Sequence, residues 1–236
     1  MHYNPMLENF NQHMDHFTRD SKCVWVVYPG GAMGDLIAAI INFHYVRTGT
    51  KFFGITDTGQ SILRSVDQKI VNTHLLKTHT VDIDHMLFDS VNQTLRTQNI
   101  NYSLTDQIVL ANHAYSDASV ERIINTFPRS QVIRILPDND LECKAAMWMA
   151  NYKNNNRITE LPDSANAVYV KNFAHDRLIE FSMRDFLNPE LFEITYDRIL
   201  TQLGLPCKLI RYDLIQFWLD KQHSDVRPLL DKIAQS

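Results

Sequence analysis

The chain places a cluster of glycines between an apolar strand-like run and an apolar helix-like run. Three of its seven glycines, Gly30, Gly31 and Gly34, fall within five residues. The preceding run, Cys23–Tyr28, is typical of a central strand covered on both faces. The following stretch, Asp35–Arg47, predicts a helix with an acidic residue in its first turn and a basic residue in its last. This order predicts a strand–loop–helix unit of an α/β fold.

The glycine loop has two physical explanations. Glycine costs backbone entropy, so a concentration of glycines needs a local cause. Backbone amides at the start of a helix bind phosphate or sulfate, and ligands of α/β sheets gather at the carboxyl ends of strands. A tight turn with close helix–strand packing would require the same glycines. We favour an anion or nucleotide site whose loop residues are Pro29, Gly30, Gly31, Ala32, Met33 and Gly34.

The loop does not match two common glycine motifs. A Walker A loop carries Lys and then Ser or Thr after its last glycine, whereas Asp35 and Leu36 follow Gly34 here. The Gly-x-Gly-x-x-Gly pattern of dinucleotide-binding folds does not occur in this loop either. A carboxylate in the first helical turn is attracted to the amides that would hold a phosphate. Asp35 is therefore interpreted as either a helix cap or a catalytic group.

The rest of the chain alternates strand-like and helix-like segments. Further strands are predicted at Lys51–Ile55, Gln107–Ala111 and Gln131–Leu136. Further helices are predicted at Ser61–Ile70, Asp84–Arg96, Asp117–Phe127, Asn139–Lys153, Arg177–Phe186, Pro189–Leu203 and Tyr212–Gln222. This alternation favours a mostly parallel central sheet flanked by helices, followed by a helical C-terminal third. We expect an amphipathic N-terminal extension over residues 1–22 and a single α/β domain over residues 23–236.

Composition excludes several classes of protein. Of the 236 residues, 44% are apolar and 21% charged, which excludes disorder and a coiled coil. A net charge of −4 provides no positive field, so we expect neither a nucleic-acid nor a membrane partner. Cys23, Cys143 and Cys207 are isolated, which is typical of a reducing compartment. The N-terminal residues lack the basic and apolar regions of a signal peptide, so we expect a cytoplasmic protein.

Four segments together resemble the sulfotransferase family. Val26–Gly34, with its Tyr-Pro opening, is similar to the strand and loop with which sulfotransferases bind the phosphosulfate of 3′-phosphoadenosine-5′-phosphosulfate. Ile108–His113 resembles the family's strand that ends in Thr-His or Ser-His. Phe127–Ile135 is similar to its Phe-Pro turn and strand, and Leu187–Pro206 to its closing helix. The order and spacing cover most of residues 23–206, and they also resemble sulfotransferase-like proteins of tailed phages.

The resemblance implies a fold, a reaction and several site residues. The fold would be P-loop-like, with the nucleotide donor held over Gly30–Asp35. The acceptor would be a hydroxylated small molecule or a glycan, and His113 would be the general base, since an imidazole accepts protons at neutral pH. Pro137 stands where the family has the Arg of its 3′-phosphate site, so the nearby Arg134 is the candidate for that role.

Departures from the family pattern leave two alternatives open. The loop lacks the basic residue and the Ser or Thr of sulfotransferases, which favours an inactive fold that serves as a binding or structural subunit, either in an assembly or as a homo-oligomer. Ala32–Ile37 is also similar to the N-terminal loop of bacterial heptosyltransferases, in which Asp35 would be the base of a glycosyltransferase. We expect no metal, because the clusters His13/Asp15/His16 and Asp82/Asp84/His85 match no recognised ligand spacing.

Overall fold

The chain forms a five-stranded parallel sheet with helices on both faces. The computed structural model describes residues 15–29, 32, 34–45, 54–55, 61–62, 73–78, 85–97, 102–113, 116–137, 145, 173–205, 227–228 and 231. The strands are β1 (Lys22–Val27), β2 (Gly54–Ile55), β3 (Ser61–Ile62), β4 (Thr73–Thr78), β5 (Gln107–Asn112), β6 (Ser130–Leu136) and β7 (Leu178–Ser182). The main helices are α1 (Gly34–Tyr45), α2 (His85–Thr97), α3 (Asp117–Thr126), α4 (Met183–Leu187) and α5 (Pro189–Gln202). The predicted α/β class is confirmed.

The main sheet has the order β4-β5-β1-β6-β7, and each neighbouring pair is parallel. Strands β2 and β3 pair with each other in antiparallel orientation, outside this sheet. Numbered along the chain, the five parallel strands therefore lie 2-3-1-4-5. This differs from the order 3-2-1-4-5-6 of dinucleotide-binding folds and from the order 2-1-3-4-5 of flavodoxin-like folds.

Strand β1 is central because both of its faces are apolar. Val24 and Val26 belong to a first core that also contains residues of α1, α4 and α5. Trp25 and Val27 belong to a second core, which contains residues of α2 and α3. Burial on both faces explains why the strand appears in the sequence as a continuous apolar run. The second core also takes in Phe17, whose ring is 5.5 Å from that of Phe127.

One predicted helix is wrong over half of its length. Residues 178–182, placed in the helix Arg177–Phe186, form strand β7, and the helix α4 begins only at Met183. Ile179 and Phe181 are buried while their neighbours are not, which is the period-2 pattern of a strand. Ser182 then caps α4 in a capping box with Asp185.

The structure confirms some of the other predicted helix and strand boundaries and corrects others. The helices predicted from Asp84, Asp117 and Pro189 and the strands predicted from Gln107 and Gln131 are confirmed within one or two residues. Strand β4 was not predicted, and Ser61–Ile62 is a strand rather than the start of a helix. The predicted strand Lys51–Ile55 is borne out at Gly54–Ile55. Tyr212–Gln222 lies outside the described residues, as does most of Asn139–Lys153, of which only the helical Ala145 is described.

The predicted end of α5 is confirmed at a glycine. Gly204 has a φ of 67°, the left-handed conformation that glycine adopts without a steric penalty. The Gly204 amide donates to the carbonyl of Thr201, and the Leu205 amide donates to that of Leu200 at 2.8 Å. These bonds satisfy carbonyls that the helix itself leaves without donors.

Candidate functional site

The candidate site lies at the carboxyl edge of the sheet, beside the end of β1. The helix that follows β1 packs into the first core, whereas the helix that follows the neighbouring strand β5 packs into the second. The connections therefore leave these two adjacent strands towards opposite faces. Such a change of direction opens a crevice at the carboxyl ends of the strands, where α/β proteins bind ligands.

The described part of the glycine loop is a buried turn. The Ala32 amide donates to the Pro29 carbonyl at 3.0 Å, and the Tyr28 amide donates to the Asn112 carbonyl at the end of β5. Ala32 is fully buried, as is nearly all of Pro29. The Ala32 amide is therefore engaged by the turn. The predicted anion-binding residues Gly30, Gly31 and Met33 lie outside the described residues.

Gly34 allows the start of α1 to approach the Tyr28 ring closely. A Cβ built on Gly34 would overlap that ring, so no larger residue fits without a rearrangement. Gly34 thus has a packing role, which is the second of the two explanations for the glycine-rich loop. Asp35 is the second residue of α1, so its backbone lies at the helix N-terminus, while its side chain is outside the described part of the structure.

His113 follows β5 directly and meets the end of β1. Its Nδ1 is 3.1 Å from the Tyr28 carbonyl oxygen. A carbonyl only accepts hydrogen bonds, so Nδ1 carries the proton and the neutral ring has its lone pair on Nε2. The imidazole and the Tyr28 ring meet edge-on, with centroids 4.8 Å apart. The half-buried His113 therefore contacts the residue that directly precedes the glycine loop.

Arg134 lies at the same edge of the sheet but is bonded to carboxylates. It is level with Val27 of β1 and with Glu180 of β7 in the strand register. Its Nε donates to Glu180 at 2.6 Å, and its NH1 group lies 2.5 Å from a carboxylate oxygen of Asp117, the first residue of α3. The Arg134 side chain is fully buried. Its role as a ligand for the donor phosphate stays a prediction.

Several residues of this edge carry no signal in the sequence pattern. Asn112 is fully buried at the end of β5, where its backbone carbonyl anchors Tyr28. Glu180 is 46 residues from Arg134 and Asp117 is 17, so no local sequence pattern links either carboxylate to the arginine. A buried arginine needs carboxylate partners, which is the signal that could have prompted a search for them.

No metal cluster and no membrane helix are found in the described residues. No group of three or more His, Cys, Asp or Glu side chains in that part of the chain is arranged to hold a metal ion. No helix within the same residues is both long and apolar enough to cross a bilayer.

Comparisons with known proteins gave no relative. No protein-family model matches the chain, and neither a curated protein nor a solved structure matches it.

Proposed function

We propose that the protein is a P-loop-like transferase of sulfotransferase type. It would move a group from an anionic nucleotide donor, of the 3′-phosphoadenosine-5′-phosphosulfate kind, to a hydroxyl acceptor. The observation that carries the proposal is the contact between His113 and Tyr28, the residue that leads into the glycine loop, at the carboxyl ends of two adjacent parallel strands. A ligand crevice is expected at this position, and a base within it is oriented by a backbone carbonyl.

In this proposal His113 is the general base. Its Nδ1 proton is held by the Tyr28 carbonyl, so Nε2 takes the proton of the acceptor hydroxyl as the acceptor oxygen attacks. The bond between the transferred group and the nucleotide phosphate breaks, and the nucleotide leaves with its electron pair. The amides of Gly30 and Gly31 and the N-terminus of α1 would stabilise negative charge on the donor, which is a large term in such reactions.

Two variants separate binding from chemistry. His113→Asn should retain calorimetric binding of 3′-phosphoadenosine-5′-phosphate but lose transfer to phenol and sugar acceptors by about 100-fold or more, the usual contribution of a general base. His175→Asn is the matched control, because His175 precedes β7 and so lies at the opposite edge of the sheet. Absence of saturable binding at millimolar nucleotide by the unaltered protein would remove the donor assignment.

Asp35→Asn distinguishes this reaction from a glycosyltransferase. Asp35 lies at the N-terminus of α1, where removal of a negative charge favours anion binding. The variant should therefore retain or improve nucleotide affinity if the loop holds a phosphosulfate. Loss of an observed glycosyl transfer, with His113→Asn still active, would instead support Asp35 as the base.

A non-catalytic binding role is the second candidate, and a specific observation favours it. The Ala32 amide and the Arg134 guanidinium, both candidates for anion binding, are bonded within the chain. On this alternative the fold would serve as a subunit of an assembly. Light scattering during size exclusion tests it, since a stable oligomer without affinity for the nucleotide would support the second role over the first.

A further inference from the structure

We propose that Tyr28 is a positioning residue for His113, an inference that rests on the proposed role of His113 as the base. Tyr28 contacts the imidazole in two ways. Its carbonyl oxygen is 3.1 Å from Nδ1, and its ring meets the imidazole at an interplanar angle of 63°. The first contact selects the nitrogen that carries the proton, and the second sets the plane in which the imidazole lies.

Tyr28 can perform this role because it is itself held in place. Its amide donates to the Asn112 carbonyl, which ties its backbone to the strand that carries His113. Only 3% of the residue is exposed. Gly34 packs closely against its ring, and the imidazole meets the same ring edge-on. The backbone at the start of α1 therefore limits the space in which the Tyr28 ring can move.

This arrangement has a chemical consequence for the proposed base. A neutral imidazole in water exchanges its proton between the two nitrogens, and only one form has its lone pair on Nε2. With Nδ1 bonded to the Tyr28 carbonyl, the neutral ring is held in that form. Removal of the Tyr28 ring leaves the backbone carbonyl in place but allows the imidazole to rotate. The hydrogen bond from Nδ1 to the carbonyl should then weaken.

The tautomer of His113 is the direct readout. Long-range ¹H–¹⁵N spectra of ¹⁵N-labelled protein distinguish protonated from unprotonated ring nitrogens, and the His113→Asn spectrum assigns the signals. We expect a protonated Nδ1 in the unaltered protein and in Tyr28→Phe, which retains the ring. In Tyr28→Leu the two nitrogen shifts should move towards a common average. In Gly34→Ala the added Cβ would overlap the Tyr28 ring, so this variant should displace the ring and produce the same change without removing it.

Phe192→Ala is the matched control for general loosening. Phe192 is a buried aromatic residue of the same core as Tyr28, and its ring contacts are with Phe186 and Tyr196. It should leave the tautomer of His113 unchanged. The proposal is overturned if Tyr28→Leu and Gly34→Ala do not change the nitrogen shifts, or if Phe192→Ala changes them equally.

The same variants separate this proposal from the proposed function. If Tyr28 positions the base, Tyr28→Leu should lower kcat while calorimetric nucleotide affinity stays within about twofold. The nitrogen shifts need no donor and no turnover. A protein that binds no nucleotide would therefore refute the transferase, and the shifts would still decide whether Tyr28 orients the imidazole.

Discussion

Removal of the Arg134 guanidinium should be among the most costly single changes in the described part of the fold. Arg134 is fully buried, and Glu180 is 7% exposed at its side chain. In Arg134→Met the Glu180 carboxylate would remain in a place from which water is largely excluded, without its cation. Breaking a buried ion pair from one side costs about 3–5 kcal/mol. Asp117, with 29% of its side chain exposed, can turn towards water and should contribute less.

Urea unfolding followed by circular dichroism measures this cost. In thermal unfolding, the same loss of about 3–5 kcal/mol should lower Tm by about 6–20 °C for a domain of this size. Arg184→Met is the control, because Arg184 is exposed on α4 and surface substitutions usually stay within about 0.5 kcal/mol.

A second variant identifies the cause. Arg134→Met with Glu180→Met removes both charges and should recover most of the lost stability, since apolar replacement of a buried pair is often neutral or stabilising. The reasoning is refuted if Arg134→Met costs less than about 1 kcal/mol, or if the double variant is no more stable than the single one.

Three further changes test other contacts of the fold. Arg177 donates to the carbonyls of Ile124 and Phe127 at the end of α3 and to that of Ser130 at the start of β6. Arg177→Ala should therefore cost about 1.5–3 kcal/mol in urea unfolding, against almost nothing for exposed Arg122→Ala. The Asn92 side chain exchanges two hydrogen bonds with the Phe17 backbone, so Asn92→Ala should cost about 1–3 kcal/mol, and a loss no larger than that of exposed Gln93→Ala would contradict this. Burial raises the pKa of Tyr102 from near 10 to about 12, so folding stability should fall as the pH rises from 10 to 12, and a Tyr102→Phe variant with an equally steep fall would refute the assignment.

The central strands were predictable because burial on both faces leaves a continuous apolar run. The runs that begin at Cys23, Gln107 and Gln131 correspond to β1, β5 and β6, the three inner strands of the sheet. The sequence pattern does not predict β4, and it predicts a helix in place of β7. These are the two outermost strands of the sheet. An edge strand pairs on one side only, and polar residues such as Lys77 and Glu180 interrupt its apolar pattern.

The part of the candidate site that could be predicted is the part set by the order of residues and strands along the chain. The glycine loop follows one strand and His113 follows another, so their meeting at one edge was implied by a parallel sheet. The contacts that orient His113 and bury Arg134 depend on strand register. His113 and Tyr28 are 85 residues apart, and Arg134 and Glu180 are 46 apart. Sequence periodicity contains no information about which residues stand level across such separations.

The packing role of Gly34 changes what supports the transferase proposal. Gly34 is needed because the start of α1 packs against the Tyr28 ring, so its presence is not an argument for an anion. The Ala32 amide is engaged by the turn. The anion proposal therefore depends on Gly30, on Gly31 and on the helix N-terminus. Under the proposal that His113 is the base, the same close packing at Gly34 would help to hold the Tyr28 ring against the imidazole.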